Sequence, residues 1–265
     1  MRGLLRPDEG DPVISVNENG PSPVVLVCEH AGKMIPQALG DMGLGPEDLT
    51  RHIAWDIGAE AVARRLSKAL DAPLLLQRYS RLAYDCNRPP DSPDAMPVRS
   101  ETTRVPGNED LSSEARFARI RGIYRPFHDA VSELLDRRAA QNVASLIVTM
   151  HSFTPIYRGI RRHLDLGVLH DRDTRLADLM LGLCGRMKDI VVRRNEPYGP
   201  QDGVCHTLNL HGAARGLHHV MLEIRNDLIS HETGQAQWAE RLAQVLEQAI
   251  SLVFPSIVVR TQSSS

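Results

Sequence analysis

The chain has 265 residues, 42% of them apolar, and its 31 basic residues nearly cancel its 33 acidic ones, for a formal net charge of −2. That balance leaves no basic stripe for neutralising phosphates, so nucleic acid is not an expected partner. The purest apolar run, Val143 to Met150, is far shorter than the ~18–20 residues of a membrane span, and no membrane is expected either.

At about 150 residues per domain the length lies between one domain and two, and α/β folds of this size are commonly one. The N-terminus, MRGLLRPDEGDP, has no apolar h-region before a small-residue cleavage site, so no secretory signal is read and the cytoplasm is the expected location. Cys28, Cys86, Cys184 and Cys205 are scattered with no C-x-x-C pair, which points to small buried side chains instead of a disulfide framework or zinc knuckle.

Residues 1–20 carry no periodicity and are expected to form a flexible arm, residues 21–260 one α/β domain, and residues 261–265 a disordered tail. PVVLVC (Pro23 to Cys28) is a continuous β-branched run, predicted as a strand buried on both faces and ending at Glu29-His30. Pro46-Glu47-Asp48 opens a predicted short helix, and Ala59 to Leu70 an amphipathic one with Ala59, Val62, Ala63, Leu66 and Leu70 on one stripe. PLLLQR (Pro73 to Arg78) is the next strand. The stretch from Pro89 to about Asp110, with five prolines and one glycine, reads as a long polar loop.

Ser112 or Ser113 is placed to cap a helix running through RFARIRGIYRPFHDAVSELLDRRAAQ and kinked or broken near Pro126. SLIVTM (Ser145 to Met150) is a second buried strand ending at His151. Strands over Leu164–His170 and Asp189–Arg194 bracket a helix at Thr174–Met187, His218–Asp227 is the last strand, and Gly234–Ile250 the final helix. Strands alternating with helices predict a single-domain, three-layer α/β sandwich with a mixed, mostly parallel central sheet.

Open α/β sheets bind ligands beyond the carboxyl ends of their strands. Three predicted strand ends deliver polar groups there: Glu29-His30, His151, and Glu223 with Arg225; Asp56 lies at the entry to a helix after the first strand. Two imidazoles and a carboxylate make the three-ligand set of a catalytic zinc site, with a further glutamate as general base. The same residues taken singly also suit hydrogen-bonded core histidines and helix caps. Asn87-Arg88 in DCNR suits an anionic substrate, since arginine grips a carboxylate bidentately; a surface ion pair is the other reading. No G-x-S-x-G elbow, P-loop or G-x-G-x-x-G turn is present, so serine-hydrolase, P-loop and Rossmann readings lack support.

In combination CEHAG followed by Ile35-Pro36, AWDIGA, SRLAYDCNRPP, MHSF, NEPYGPQDGVCHTLNLHG and RGLHHVMLEIRNDLI resemble the N-formylglutamate amidohydrolase family from about Val24 to Ile229. That family is similar to the zinc carboxypeptidase and aspartoacylase group in fold and in its D-x-N-R element. The resemblance implies metal-assisted hydrolysis of an amide on an acidic amino acid, with a zinc carboxypeptidase-like, phosphorylase/hydrolase-like sandwich, a Zn2+ cofactor and a small N-acyl amino acid as partner. It implies His30 and His151 as metal ligands, Asp56 as the third with Glu29 as the alternative, and Glu223 as catalytic base. It further implies Arg88 as catalytic and substrate-binding with Asn87, and Tyr198, His206, His211 and Arg225 along the pocket.

Many members have P-H-S-G where this chain has Glu29-His30-Ala31-Gly32, which sets it in a divergent branch. Two other functions are carried beside the first: a deacylase or carboxypeptidase acting on another N-acyl amino acid or small peptide, and an inactive relative that holds an anionic ligand through Arg88 and Arg225. Monomer and homodimer are both compatible with the final helix.

Overall fold

The computed structural model describes residues 3–255. Eleven strands and five α-helices follow one another as β1 (Val13–Val16), β2 (Val24–Cys28), α1 (Ala59–Leu70), β3 (Leu74–Gln77), β4 (Arg99–Ser100), β5 (Thr103–Arg104), α2 (Ser113–Arg119), α3 (Arg125–Ala140), β6 (Leu146–Phe153), β7 (Ile156–Tyr157), β8 (Ile160–Arg161), β9 (Leu166–Leu169), α4 (Arg175–Cys184), β10 (Val192–Arg194), β11 (His218–Arg225) and α5 (Glu232–Val253). Seven strands join one sheet in the order β1-β3-β2-β6-β11-β9-β10. β3, β2, β6 and β11 run parallel in sequence, β10 is parallel to β9, and the β1–β3 and β11–β9 pairs are antiparallel. The sheet is therefore mixed and mostly parallel, as expected.

Period-2 alternation along the buried strands splits the core between the two faces. Val24, Leu26, Leu146, Val148 and Met150 meet α1, α4 and α5, while Val25, Val27, Leu75 and Ile147 meet Phe127, Val131 and Leu135 of α3. Helices thus cover both faces of the sheet, making three layers in one domain. No helix among the described residues is long and apolar enough to cross a membrane. All four cysteines are buried and free.

Five local expectations need correction. The supposed N-terminal arm is tied down: Val13–Val16 pairs antiparallel with β3 as an edge strand, and Gln37 N–H donates to Glu9 Oε1 at 2.7 Å. The helix at Pro46-Glu47-Asp48 is only a 3-10 turn over Asp48–Thr50. The Pro89–Asp110 loop holds the β4–β5 hairpin, and the buried Arg119 of α2 fastens it by donating to Ala83 O (3.1 Å), Gly107 O (2.7 Å) and Asn108 Oδ1. The long helix is not broken near Pro126: α2 passes directly into α3 through a π-turn at Ile120–Tyr124, just ahead of the proline. The last helix is longer than expected, and the 261–265 tail lies outside the described residues.

Candidate active site

The site lies beyond the carboxyl ends of β2, β6 and β11, the three central strands. Register puts Glu223 of β11 beside His151 of β6, and Val27 of β2 beside Thr149, so the β2 chain leaves the sheet next to them carrying Glu29 and His30. Gly32 then lets the chain turn tightly across β3: a Cβ there would fall 1.8 Å from Arg78 O. Asp56 is brought in by its own N–H, which donates to His30 O at 2.9 Å. Gly58, at φ +81° and packed on Ile229 O, starts α1 immediately afterwards.

His30 Nδ1, His151 Nδ1 and Asp56 Oδ2 face one another. The separations are 3.2 Å between the nitrogens, 3.3 Å from His30 to Asp56 and 2.9 Å from His151 to Asp56. Ligands about 2.0–2.1 Å from a tetrahedral zinc lie about 3.3 Å apart, so the spacing matches a metal's coordination edge.

The opposite ring nitrogens are held by carboxylates: His30 Nε2 by Asp85 Oδ1 at 2.7 Å, and His151 Nε2 by Glu29 Oε2 at 3.1 Å, the latter an ion-pair contact that is not aligned as a hydrogen bond. A proton on each Nε2, the side on which its carboxylate lies, would leave both Nδ1 lone pairs and the Asp56 oxygen facing one point. Such a set calls for a cation or a shared proton. All of these groups are nearly solvent-free, Glu29 at 0% exposure and His151 at 1%.

The electrostatics follow from this packing. Burial opposes ionisation of Glu29, yet the facing His151 holds its carboxyl down at about 2. Burial likewise works against charge on His151 and His30, and their carboxylate neighbours, Glu29 for the first and Asp85 with Asp56 for the second, overcome it and raise both. Glu223 goes the other way for a carboxylate: burial pushes it up from 4.5 to about 7, against the pull of His151, and its Oε2 has no hydrogen-bond partner among the described residues.

A cleft of about 450 Å³ opens over the triad, lined among others by His30, Arg81, Asp85, Arg88, His151, Tyr198 and Glu223. Arg88 points one N–H to Asp202 O and leaves other donors to the cleft. Asn87 lines it too, but its amide is already engaged with the opposite loop, donating to Val204 O at 2.5 Å and accepting from Thr207 N–H at 3.1 Å. Held this way it braces the segment that carries Arg88, and the second N–H of its amide remains for the cleft.

His211 and Arg225 do not line the cleft. His211 stacks on His128 in the layer behind, 2.8 Å from its Nδ1, because the π-turn at Leu208–Gly212 carries it inward. Arg225 is consumed by Asp165 (2.9 Å) and Asp227 (2.8 Å). His206 bonds Tyr124 Oη at 2.9 Å beside the cleft. Glu29 stands on the outer side of His151, away from the point where the three donors converge.

Two contributors were missed. Asp85, read only as part of DCNR, orients His30; Arg81, four residues earlier, bridges Asp56 Oδ1 at 3.2 Å and Asp85 Oδ2 at 2.8 Å with 30% of its side chain exposed to the cleft. An arginine and an aspartate four apart, ahead of Asn-Arg, were the only available signal.

A covered mixed sheet that gathers two imidazoles, a carboxylate and a separate buried glutamate at its strand ends has the constitution of a hydrolase. Residues 22–230 match the family model described as N-formylglutamate amidohydrolase. The chain belongs to that family and is a hydrolase of carbon–nitrogen bonds other than peptide bonds. It is 26% identical over 276 residues to the N-formylglutamate deformylase of Pseudomonas putida, covering 94% of this chain and 96% of the relative. A gene product of Agrobacterium tumefaciens of known crystal structure is 50% identical, with a TM-score of 0.92 over 94% of this chain and 99% of that one. The N-formylglutamate amidohydrolase of Ralstonia eutropha shares the fold, with a TM-score of 0.60 at 23% identity over 91% and 97% of the two chains.

Proposed function

We propose that the chain hydrolyses the N-acyl amide of an acidic amino acid, N-formyl-L-glutamate or a close analogue, with a zinc ion held by His30, Asp56 and His151. The observation that carries this reading is the convergence of His30 Nδ1, His151 Nδ1 and Asp56 Oδ2, 2.9 to 3.3 Å apart, beside a buried glutamate with an oxygen unpaired among the described residues. A divalent ion among those donors would supply Lewis acidity, easing loss of a proton from water and polarising the acyl carbonyl.

The residues divide the remaining work. Glu223 takes a proton from the attacking water and returns it to the departing amine, a two-way task suited to a carboxyl with a raised pKa. Arg81 faces the acyl oxygen as negative charge develops on it. Arg88 holds the substrate carboxylate, with Asn87 bracing the loop behind it, so that orientation is set away from the reacting carbon.

The test is elemental analysis of wild type and His151→Ala, together with turnover of a panel of N-formyl, N-acetyl and N-succinyl amino acids. Near-stoichiometric zinc that is lost with activity in the variant supports the reading. Metal with turnover confined to other acyl groups replaces formylglutamate by that substrate. Protein that stays inactive after zinc is restored leaves the anion-binding function instead.

A further inference from the structure

Beside the cleft stands a cation with no counter-charge. Arg162, directly after the β7–β8 hairpin, makes no salt bridge among the described residues; its guanidinium carbon lies 4.6 Å from the ring centre of Tyr157, 4.8 Å from that of Tyr198 and 5.7 Å from that of Phe153. Its Nη1 donates to Tyr198 Oη at 3.0 Å, and its backbone N–H donates to Pro155 O at 2.8 Å. All three rings line the cleft while the guanidinium stands behind them. Ring faces stabilise the charge that no carboxylate among the described residues balances.

A guanidinium has donors only, so the phenol oxygen of Tyr198 must accept from it. The single phenolic proton is then not used by Arg162 and is free to point into the cleft that Tyr198 shares with Glu223 and Arg81. Burial and the Glu223 carboxylate raise the phenol's pKa while Arg162 draws it back, so Tyr198 lies within electrostatic reach of both and keeps its proton at neutral pH.

We propose that Arg162 is a positioning residue: by occupying the Tyr198 oxygen from behind, it fixes that hydroxyl as a donor to the acyl oxygen of the scissile amide. Arg162 itself touches no substrate. The assignment of the acyl oxygen rests on the amide-hydrolysis reading above; the Arg162–Tyr198 coupling does not.

The experiment is a double-mutant cycle of Arg162→Met and Tyr198→Phe, with Arg162→Lys beside it, on the metal-loaded full chain. Each single change is expected to lower kcat about 10-fold, the scale of one hydrogen bond to a polarised group, and to leave KM within about twofold. The double variant is expected to be no slower than Tyr198→Phe alone, because Arg162 acts through that hydroxyl. Arg162→Lys keeps the charge without the planar fork and should recover part of the loss; it also carries the cycle should the methionine variant not fold. Losses that multiply to about 100-fold in the double variant, or an unchanged kcat in Arg162→Met, overturn the proposal.

Ultraviolet titration of tyrosinate gives a readout independent of turnover. Arg162→Met should move one tyrosine's ionisation to higher pH, and the move should vanish in the Tyr198→Phe background. An unmoved titration overturns the coupling. A moved one, in a protein that hydrolyses none of the panel, upholds the coupling and overturns the functional reading.

Discussion

In the proposed site His30 and His151 turn Nδ1 to the metal position, with Asp85 Oδ1 and Glu29 Oε2 beside their Nε2 atoms. Carboxylates in that position fix the ring and its tautomer and strengthen the ligating nitrogen. Asp85→Asn and Glu29→Gln are therefore expected to lower zinc affinity about 10- to 100-fold each while the fold survives, measured by competition with a coloured chelator. Affinity equal to wild type would assign these carboxylates no part in holding the histidines. Glu223→Gln is expected to keep its metal and lose turnover by at least about 100-fold.

As the proposed base, Glu223 works only when ionised, so kcat/KM should fall as pH drops through its pKa. That limb should lie above 4.5, the ordinary carboxyl value, and no higher than about 7, the metal-free value, since a nearby cation draws it down. A flat profile between those limits would remove Glu223 from the base role. The histidines were visible in the sequence because each ends a buried apolar run. Asp85 was not visible as an orienting group, since its partner lies 55 residues away and only the fold joins them.

The cleft's mouth is built by two short hairpins that have little core of their own. Glu101, at φ +54° between β4 and β5, joins them: its Oε1 accepts from Arg158 N–H at 3.2 Å in the β7–β8 turn, and its Oε2 faces Arg51 at 3.1 Å and His52 at 3.3 Å. Ile160 at the tip is 72% exposed, so burial contributes little there and the clasp carries the hairpin's order. Glu101→Ala should speed tryptic cleavage after Arg158 and Arg161 several-fold and raise KM more than it lowers kcat, as a looser wall admits and releases substrate without altering the reacting groups. An unchanged digestion rate would show that the strands hold without it.

These two-residue strands could not be read from the sequence, because period-2 patterning needs about four residues to register. The long buried strands β2, β6 and β11 could. Edge strand β1 failed for a related reason: it is half-covered, is preceded by Pro, Gly and Asp, and exists through its pairing with β3.

A net charge of −2 over the chain conceals a strong local imbalance. Glu29, Asp56, Asp85 and Glu223 are buried at 0 to 5% exposure around one arginine, Arg81, and two imidazoles. Sequence can supply the residues but not this concentration, which arises where five separate segments meet at the strand ends. Without metal the excess is met by protons.

The folded pKa values of His30 and His151 are raised, so their stabilising contribution is complete below about 6.5 and is lost as pH climbs through the raised values. Glu223, also raised, loses its contribution as pH rises from 4.5 to about 7, whereas Glu29, Asp56 and Asp85, all lowered, lose theirs only in acid. Metal-free protein should thus be most stable in mildly acidic solution and weaken above neutrality. Zinc competes with those protons, so its binding strengthens over the same range.

At a hundredfold excess over Kd the ion adds about 2.7 kcal/mol, or about 5–10 °C in Tm for a chain of this size. Calorimetry of zinc-loaded and chelator-treated protein should find that Tm difference growing from pH 6 to pH 8. A difference that shrinks over that interval would mean that protons and metal do not share these donors, and the His30–Asp56–His151 cluster would then have to be read as a hydrogen-bonded core.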